Sequence, residues 1–244
     1  MPKNQTLDEF YSTFREEVLC ASDTETSGWT TEDFLTNVMM EYLEEAGEVT
    51  DPVICPFRGY GLQMNAYAIS EDCESVDIFV SIYSESDRPR SVSQADIDAA
   101  IKRAIQLYHK AINDLYTAFQ KDNDTYEFAI TLHQNKDNIK HVRICALTNG
   151  LVKPIALKNI TIGDAEISFS LWDVDRLYRC VTSGKMRETI EIDFEEKFQT
   201  SIPCIENNTS KKYSVYLAII NGDLLAALYS ETVCLRKMCA HSFK

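Results

Sequence analysis

The sequence predicts a mixed α/β domain, and three features of its hydrophobic pattern carry that expectation. The run SVDIFVSIYS (Ser75 to Ser84) is almost wholly apolar or small, the composition of a strand covered on both faces of a sheet. From Ser93 to Phe119 the apolar residues instead recur at the helical period. Strand-like and helix-like runs keep succeeding one another along 244 residues, enough for one large domain or a domain with an appendage.

The first helix is expected from Thr6 to Leu19. Thr6 and Glu9 stand at capping-box spacing, and Phe10, Phe14 and Val18 follow at helical intervals. After a polar connection at Ser22 to Ser27, Thr31 is expected to cap a second helix. Its apolar stripe is Phe34, Leu35, Val38, Met39, Tyr42, Leu43 and Ala46, and Gly47 ends it. PVICPF reads as an edge strand, because two prolines interrupt it. GLQMNAYAI (Gly61 to Ile69) and SVDIFVSIYS then pair across a polar turn at Glu71 to Glu74.

A long helix starts at Ser93 or Gln94, with Ile97, Ile101, Ala104, Ile105, Tyr108, Ile112, Leu115 and Phe119 keeping its period. Tyr126 to His133 is a further helix. HVRICALTNG (His141 to Gly150) is a strand ending in an Asn-Gly turn, EISFSLWD (Glu166 to Asp173) another, and VDRLYRCV a short helix. IEIDF (Ile190 to Phe194) reads as extended. YSVYLAII (Tyr213 to Ile220) is a strand turned by Asn221, Gly222 and Asp223 into the helix DLLAALYSE. Two parts result: an α/β domain at residues 1–185 and a strand–helix extension at 186–244. If the strands flanking the long helix are parallel, their crossover is right-handed.

Composition narrows the function. Hydrophobic residues make up 45% and charged residues 25%, as in an ordinary globular protein. The formal net charge of −14 repels phosphate backbones, so nucleic acid and anionic membranes are not expected partners. The basic pairs Arg88 and Arg90, Lys102 and Arg103, and Lys211 and Lys212 read as solvated faces. The eight cysteines are scattered without a C-x-x-C pair, and Cys145 and Cys180 sit in apolar runs, as buried thiols of a reducing compartment do. Cys234, Cys239 and His241 lack a fourth zinc ligand. With neither a signal peptide nor a membrane-length apolar stretch, the expected location is the cytoplasm.

Phosphate-loop and dinucleotide motifs are absent, and none of His109, His133, His141 and His241 has a nucleophile in catalytic context. Asp173 at the strand-to-helix junction reads as an N-cap, with Asp175 as a first-turn acid beside Trp172 and Arg176. Asp193, Glu195 and Glu196 read as a solvated edge.

A helix, a three-stranded meander, a helix and another strand is also the core order of the restriction-endonuclease-like fold. The segments DEFYSTFREEVL, EYLEEAGEV, FRGYGLQMNAYAI, ISFSLWDVDRLYRCVTSGKMRETIEIDFEEKF and YLAIINGDLLAALY together resemble the N-terminal region of the AIPR family, the abortive-infection phage-resistance proteins of bacteria. The resemblance implies a restriction-endonuclease-like mixed sheet flanked by helices, and a role in antiviral defence. Family members continue through a stretch resembling LLEQNVRSFL. Leu235 to Phe243 reads LRKMCAHSF in its place, so the chain is expected to be the front part of a larger protein. The remaining region of that protein is one candidate partner.

The fold also says where a nuclease centre should lie. Such enzymes hold Mg²⁺ with an acid on one strand and an acid-x-Lys pair on the next, because the hard cation wants carboxylate oxygens. Hairpin register puts Asn65 at the first position and Ser81-Ile82-Tyr83 at the second. Asn65, Ser81 and Tyr83 carry no charge at neutral pH, so the expectation is a catalytically degenerate centre without cofactor. The alternative is an active nuclease taking its acids from Glu41, Glu45 and Asp77, and only that reading calls for Mg²⁺. A protein partner, or self-association through an acidic face, completes the expected roles.

Overall fold

Six apolar runs between residues 53 and 172 hydrogen-bond into one open mixed sheet. It comprises β1 (Val53–Gly59), β2 (Leu62–Ile69), β3 (Ser75–Ile82), β4 (His141–Thr148), β5 (Ile160–Ile162) and β6 (Ala165–Trp172), in the order β1-β2-β3-β4-β6-β5. The computed structural model describes residues 6–24, 28–121, 123–153, 155, 157–182, 204–207, 215–218, 220 and 222. Two compact units divide the chain, Met1–Met186 and Arg187–Lys244. In the second, β7 (Cys204–Asn207) pairs antiparallel with β8 (Val215–Ala218), which lies within the expected YSVYLAII strand. The IEIDF segment and the DLLAALYSE helix lie outside the described residues.

In the first unit, β1, β2 and β3 form an antiparallel meander, β3 and β4 run parallel, and β4 and β6 run parallel. The β3-to-β4 connection carries α3 (Gln94–Ala111), a single 3₁₀ turn (Leu115–Ala118) and α4 (Asp124–Gln134). Val76, Ile78 and Val80 pack on one face against Ile97, Ala104 and Leu107 of α3 and Phe128 of α4. The other face, with Phe79 and Cys145, packs under α1 (Leu7–Thr24), α2 (Thr31–Glu45) and α5 (Val174–Thr182) through Phe10, Phe14, Leu35, Leu43 and Leu177. Helices therefore cover both faces of the α/β sheet, and β3 and β4 are interior, as their continuous apolar character requires. Burial pushes the Cys145 thiol up to about 12, so it behaves as a small hydrophobe. No helix among the described residues is long and apolar enough to cross a membrane.

Several local details depart from the sequence expectation. The Thr6–Glu9 box forms as expected, through Thr6 N–H to Glu9 Oε2 at 2.8 Å and Glu9 N–H to Thr6 Oγ1 at 3.3 Å. The first helix runs on to Thr24, because the Ser22 hydroxyl bonds back to the Leu19 carbonyl at 2.8 Å instead of breaking the turn. The second helix is capped by Thr30, not Thr31. Thr30 is extended (φ −87°, ψ 163°), and its N–H and hydroxyl both donate to Asp33 Oδ2, at 2.8 and 2.7 Å. Spacing decides this, since three residues past Thr31 stands Phe34, which accepts nothing. The long helix stops at Ala111, short of Phe119. Asn113 turns its amide onto the His109 carbonyl at 2.6 Å, and the chain tightens into the 3₁₀ turn.

Strand β1 lies at the sheet edge, and its register against β2 slips between Ile54 and Phe57, the segment that contains Pro56. Strand β5 is only three residues long and two of them are exposed, so it gives almost no periodic signal. Asn149 and Gly150 form no positive-φ hairpin turn. The Asn149 carboxamide instead clamps Ser84, accepting from its N–H at 2.9 Å and donating to its carbonyl at 2.8 Å. Gly150 is needed for close approach: a Cβ there would stand 2.5 Å from Val92 Cγ2 and 2.7 Å from the Arg90 carbonyl oxygen.

Candidate functional site

Polar side chains gather where the apolar alternation of β2 breaks. Leu62 and Met64 face the α3 side of the sheet, whereas Ala66 and Ala68 face the α2 side. The slip falls at Asn65, which joins Ala66 on the α2 side. The ladder between β2 and β3 runs from Ile69↔Val76 to Ala66↔Phe79. Beyond it two carboxamides take over the backbone pairing. Asn65 Oδ1 accepts from the Ser81 N–H at 2.9 Å, and Gln63 Nε2 donates to the Ser81 carbonyl at 3.3 Å.

Helix α2 supplies the acids. Asn65 Nδ2 donates to Asp33 Oδ1 at 2.9 Å, while the Thr30 donors hold the other oxygen, so this buried carboxylate is satisfied on both sides. Glu32 is held likewise, by Gln63 Nε2 at 2.9 Å and by Arg58 Nη2 of β1 at 2.6 Å. Burial pushes the Glu32 carboxyl up from its ordinary value, against the pull of Arg58. The Thr36 hydroxyl donates to the Glu32 carbonyl at 2.9 Å, which leaves the Ser81 hydroxyl as donor in their 2.6 Å contact. Asp33, Thr36, Gln63, Asn65 and Ser81 are all buried.

From this centre a cleft of about 380 Å³ opens between the β1–β2 hairpin and the first half of α3, its walls including Arg58, Tyr83, Asp96 and Arg103. Burial raises the Tyr83 phenol above its ordinary value.

The structure thus brings Asn65 and Ser81 into direct contact and sets Tyr83 in the wall of the adjoining cleft. Glu41, Glu45 and Asp77 do not converge. Glu41 is exposed and takes the Asn37 amide at 2.9 Å, and Glu45 is exposed on the same outer helix face. Asp77 lies toward the turn end of β3 and pairs across the strands with Arg143, whose Nε is 2.9 Å away. Among the described residues no three His, Cys, Asp or Glu side chains are arranged to hold a metal. Glu32, Asp33, Gln63 and Arg58 were not foreseen, although Thr30-x-x-Asp33 and two amides at period 2 inside an apolar strand were visible signals. Two strands across from Ser81, at the same end of the sheet, Asp173 Oδ1 caps α5 by accepting from the Arg176 N–H at 2.8 Å. The Arg176 guanidinium lies 3.8 Å from the Trp172 ring centroid, so this group packs a junction.

The family description "Abortive infection phage resistance protein N-terminal domain" matches residues 35–179, more than half of the chain. The chain belongs to the abortive infection phage resistance family. The matched segment of this abortive-infection domain starts in α2 and ends in α5, so it contains the whole six-stranded sheet with Asn65, Ser81 and Tyr83. It begins just after Glu32 and Asp33. No curated protein and no solved structure matches the chain.

Proposed function

We propose that this domain is a non-catalytic, restriction-endonuclease-like module of an abortive-infection phage-resistance protein, serving assembly, sensing or regulation in the bacterial cytoplasm. One observation carries the reading. Where such a fold would grip Mg²⁺, β2 offers the Asn65 carboxamide and β3 the Ser81 hydroxyl, and the nearest carboxylates, Asp33 and Glu32, already have both oxygens engaged by protein donors. A hard cation needs carboxylate oxygens free to coordinate it, and here the carboxylate oxygens are taken up by protein donors. The order of the meander, the crossover helices and the parallel β4 supports the nuclease-like ancestry.

Titration calorimetry with Mg²⁺ and Mn²⁺, together with plasmid nicking, tests the reading. It expects no site-specific heat and no cutting, and metal-dependent cutting abolished by Asn65→Ala would sink it. The acidic surface points to a protein partner or a second copy of the chain rather than to DNA or RNA. Light scattering after size exclusion separates monomer from assembly.

A further inference from the structure

A tyrosine that the fold does not bury, standing on a basic stripe of α3, sets one side of the domain apart from its acidic helices. From these features we infer that the domain assembles head to tail, with the Tyr60 tip and α3 of one copy docking on the acidic α1–α2 face of the next. This names the assembly surfaces of the module read above as non-catalytic, and rests on that reading.

Tyr60 and Gly61 form the two-residue loop between the paired residues Gly59 and Leu62, with φ of +54° and +76°. Such a mirror-image turn favours Asn or Gly at its first position. The chain holds there a tyrosine that is 94% exposed, so burial in its own fold does not offset the strain. An aromatic ring kept in water at a conformational cost has the character of an interface anchor.

The tip stands on the basic stripe, because a Cβ on Gly61 would lie 3.8 Å from Gln106 Oε1 of α3. Lys102 and Lys110 flank Gln106 one turn before and one turn after, on the same helix face, and all three are exposed. From Lys102 to Ala111 the helix carries Lys102, Arg103 and Lys110 and no acid. Among the described residues neither lysine pairs with a carboxylate.

The other face of the sheet carries the complementary charge. Helices α1 and α2, which cover it, hold ten acids against one base, Arg15. Glu41, Glu44 and Glu45 are exposed toward the C-terminal end of α2, where the helix dipole disfavours negative charge, and the last turn holds no base. A second copy therefore supplies the acidic surface that the stripe matches. Since α3 and the α1–α2 pair lie on opposite faces of the sheet, each contact leaves one surface free on both copies. The contact is heterologous, and it repeats from copy to copy instead of closing at a dimer. The net charge of −14 does not forbid this at physiological salt, where charges farther than about 8 Å from the contact are largely screened.

Sedimentation velocity of the whole chain from micromolar to near-millimolar concentration tests this. The mass should keep rising with concentration past that of a dimer. Tyr60→Asn should weaken assembly by about tenfold or more and should not lower the melting temperature, since asparagine is favoured in that turn. Lys102→Glu with Lys110→Glu should give monomers, and so should Glu41→Lys with Glu45→Lys. An equimolar mixture of these two charge-reversed proteins should assemble again, because each then meets an opposite surface. A parent that stays monomeric, a mass that stops at a dimer, assembly indifferent to Tyr60→Asn, or a mixture that stays monomeric overturns the inference. Metal-dependent plasmid nicking would instead overturn the non-catalytic reading, whatever the sedimentation shows.

Discussion

Replacing Asn65 by Asp asks what the buried centre does with a carboxylate at the position where the proposed nuclease-like reading would expect one. The Asn65 amide nitrogen lies 2.9 Å from Asp33 Oδ1, and both residues are buried. In the variant an oxygen takes its place. If both groups stayed ionised, their repulsion at an effective dielectric constant of 20 would be about 6 kcal/mol. Keeping one proton on the pair costs less. From a solution pKa of about 3.9, it costs about 4 kcal/mol at pH 7 and about 1.5 kcal/mol at pH 5. Protonation therefore wins, and the protonated carboxyl introduced at position 65 restores the donor to Asp33.

The folded-state pKa of the pair is then raised, so the variant keeps its stability in acid and loses it as pH rises above about 4, by about 1.4 kcal/mol per unit. For a unit of this size the deficit at pH 7 should lower Tm by roughly 8–16 °C. Melting curves of Asn65→Asp and the parent from pH 5 to 8 measure this difference directly. Millimolar Mn²⁺ should recover part of the deficit in the variant and leave the parent unchanged, because only the variant sets a second carboxylate directly against Asp33. A variant as stable as the parent at pH 7, or a deficit flat with pH, would show that the two groups do not share a dry centre. A pH-dependent deficit that Mn²⁺ leaves untouched would remove the argument for metal-site ancestry.

Three further outcomes follow from the same geometry. Thr30→Ala should cost about 1 kcal/mol in chemical denaturation, while Thr31→Ala should stay within about 0.5 kcal/mol, because only Thr30 donates its hydroxyl to Asp33. Gly150→Ala drives a methyl against the Arg90 carbonyl and Val92, so it should destabilise by about 1–3 kcal/mol, measured by denaturant midpoint. Asp77→Asn leaves the half-buried Arg143 without its charge partner and should cost about 2 kcal/mol. The loss should shrink on pairing it with Arg143→Met in a double-mutant cycle.

Much of the architecture was legible because burial on both faces is written in composition. The continuous run of β3 could be nothing but interior, and Pro52 before β1 with Pro56 inside it marked an edge. The meeting of Asn65 with Ser81 was legible as well, since a hairpin register follows from its turn. What escaped was set by single side-chain hydrogen bonds rather than by pattern. Thr30 outcompetes Thr31 through Asp33, and Asn113 ends α3 where the apolar period would carry it on. Glu32 and Asp33 escaped for a further reason. In the sequence they look like the ordinary acids of a helix's first turn, and only the slip in β2 aims Gln63 and Asn65 at them.

That slip also explains why the amide cannot simply be a faded acid. Past Ala66 the two strands no longer pair by backbone alone, and Asn65 must accept from the Ser81 N–H while donating to Asp33. An ionised carboxylate accepts but cannot donate, so an acid at this position could keep the stitch to Ser81 but forfeits either the bond to Asp33 or its own charge. A metal could resolve the conflict by drawing both carboxylates to itself, and a carboxamide resolves it without one. Donating to Asp33 in the dry centre and gripping a cation are therefore alternative uses of one position, and the amide at residue 65 makes the first of these contacts.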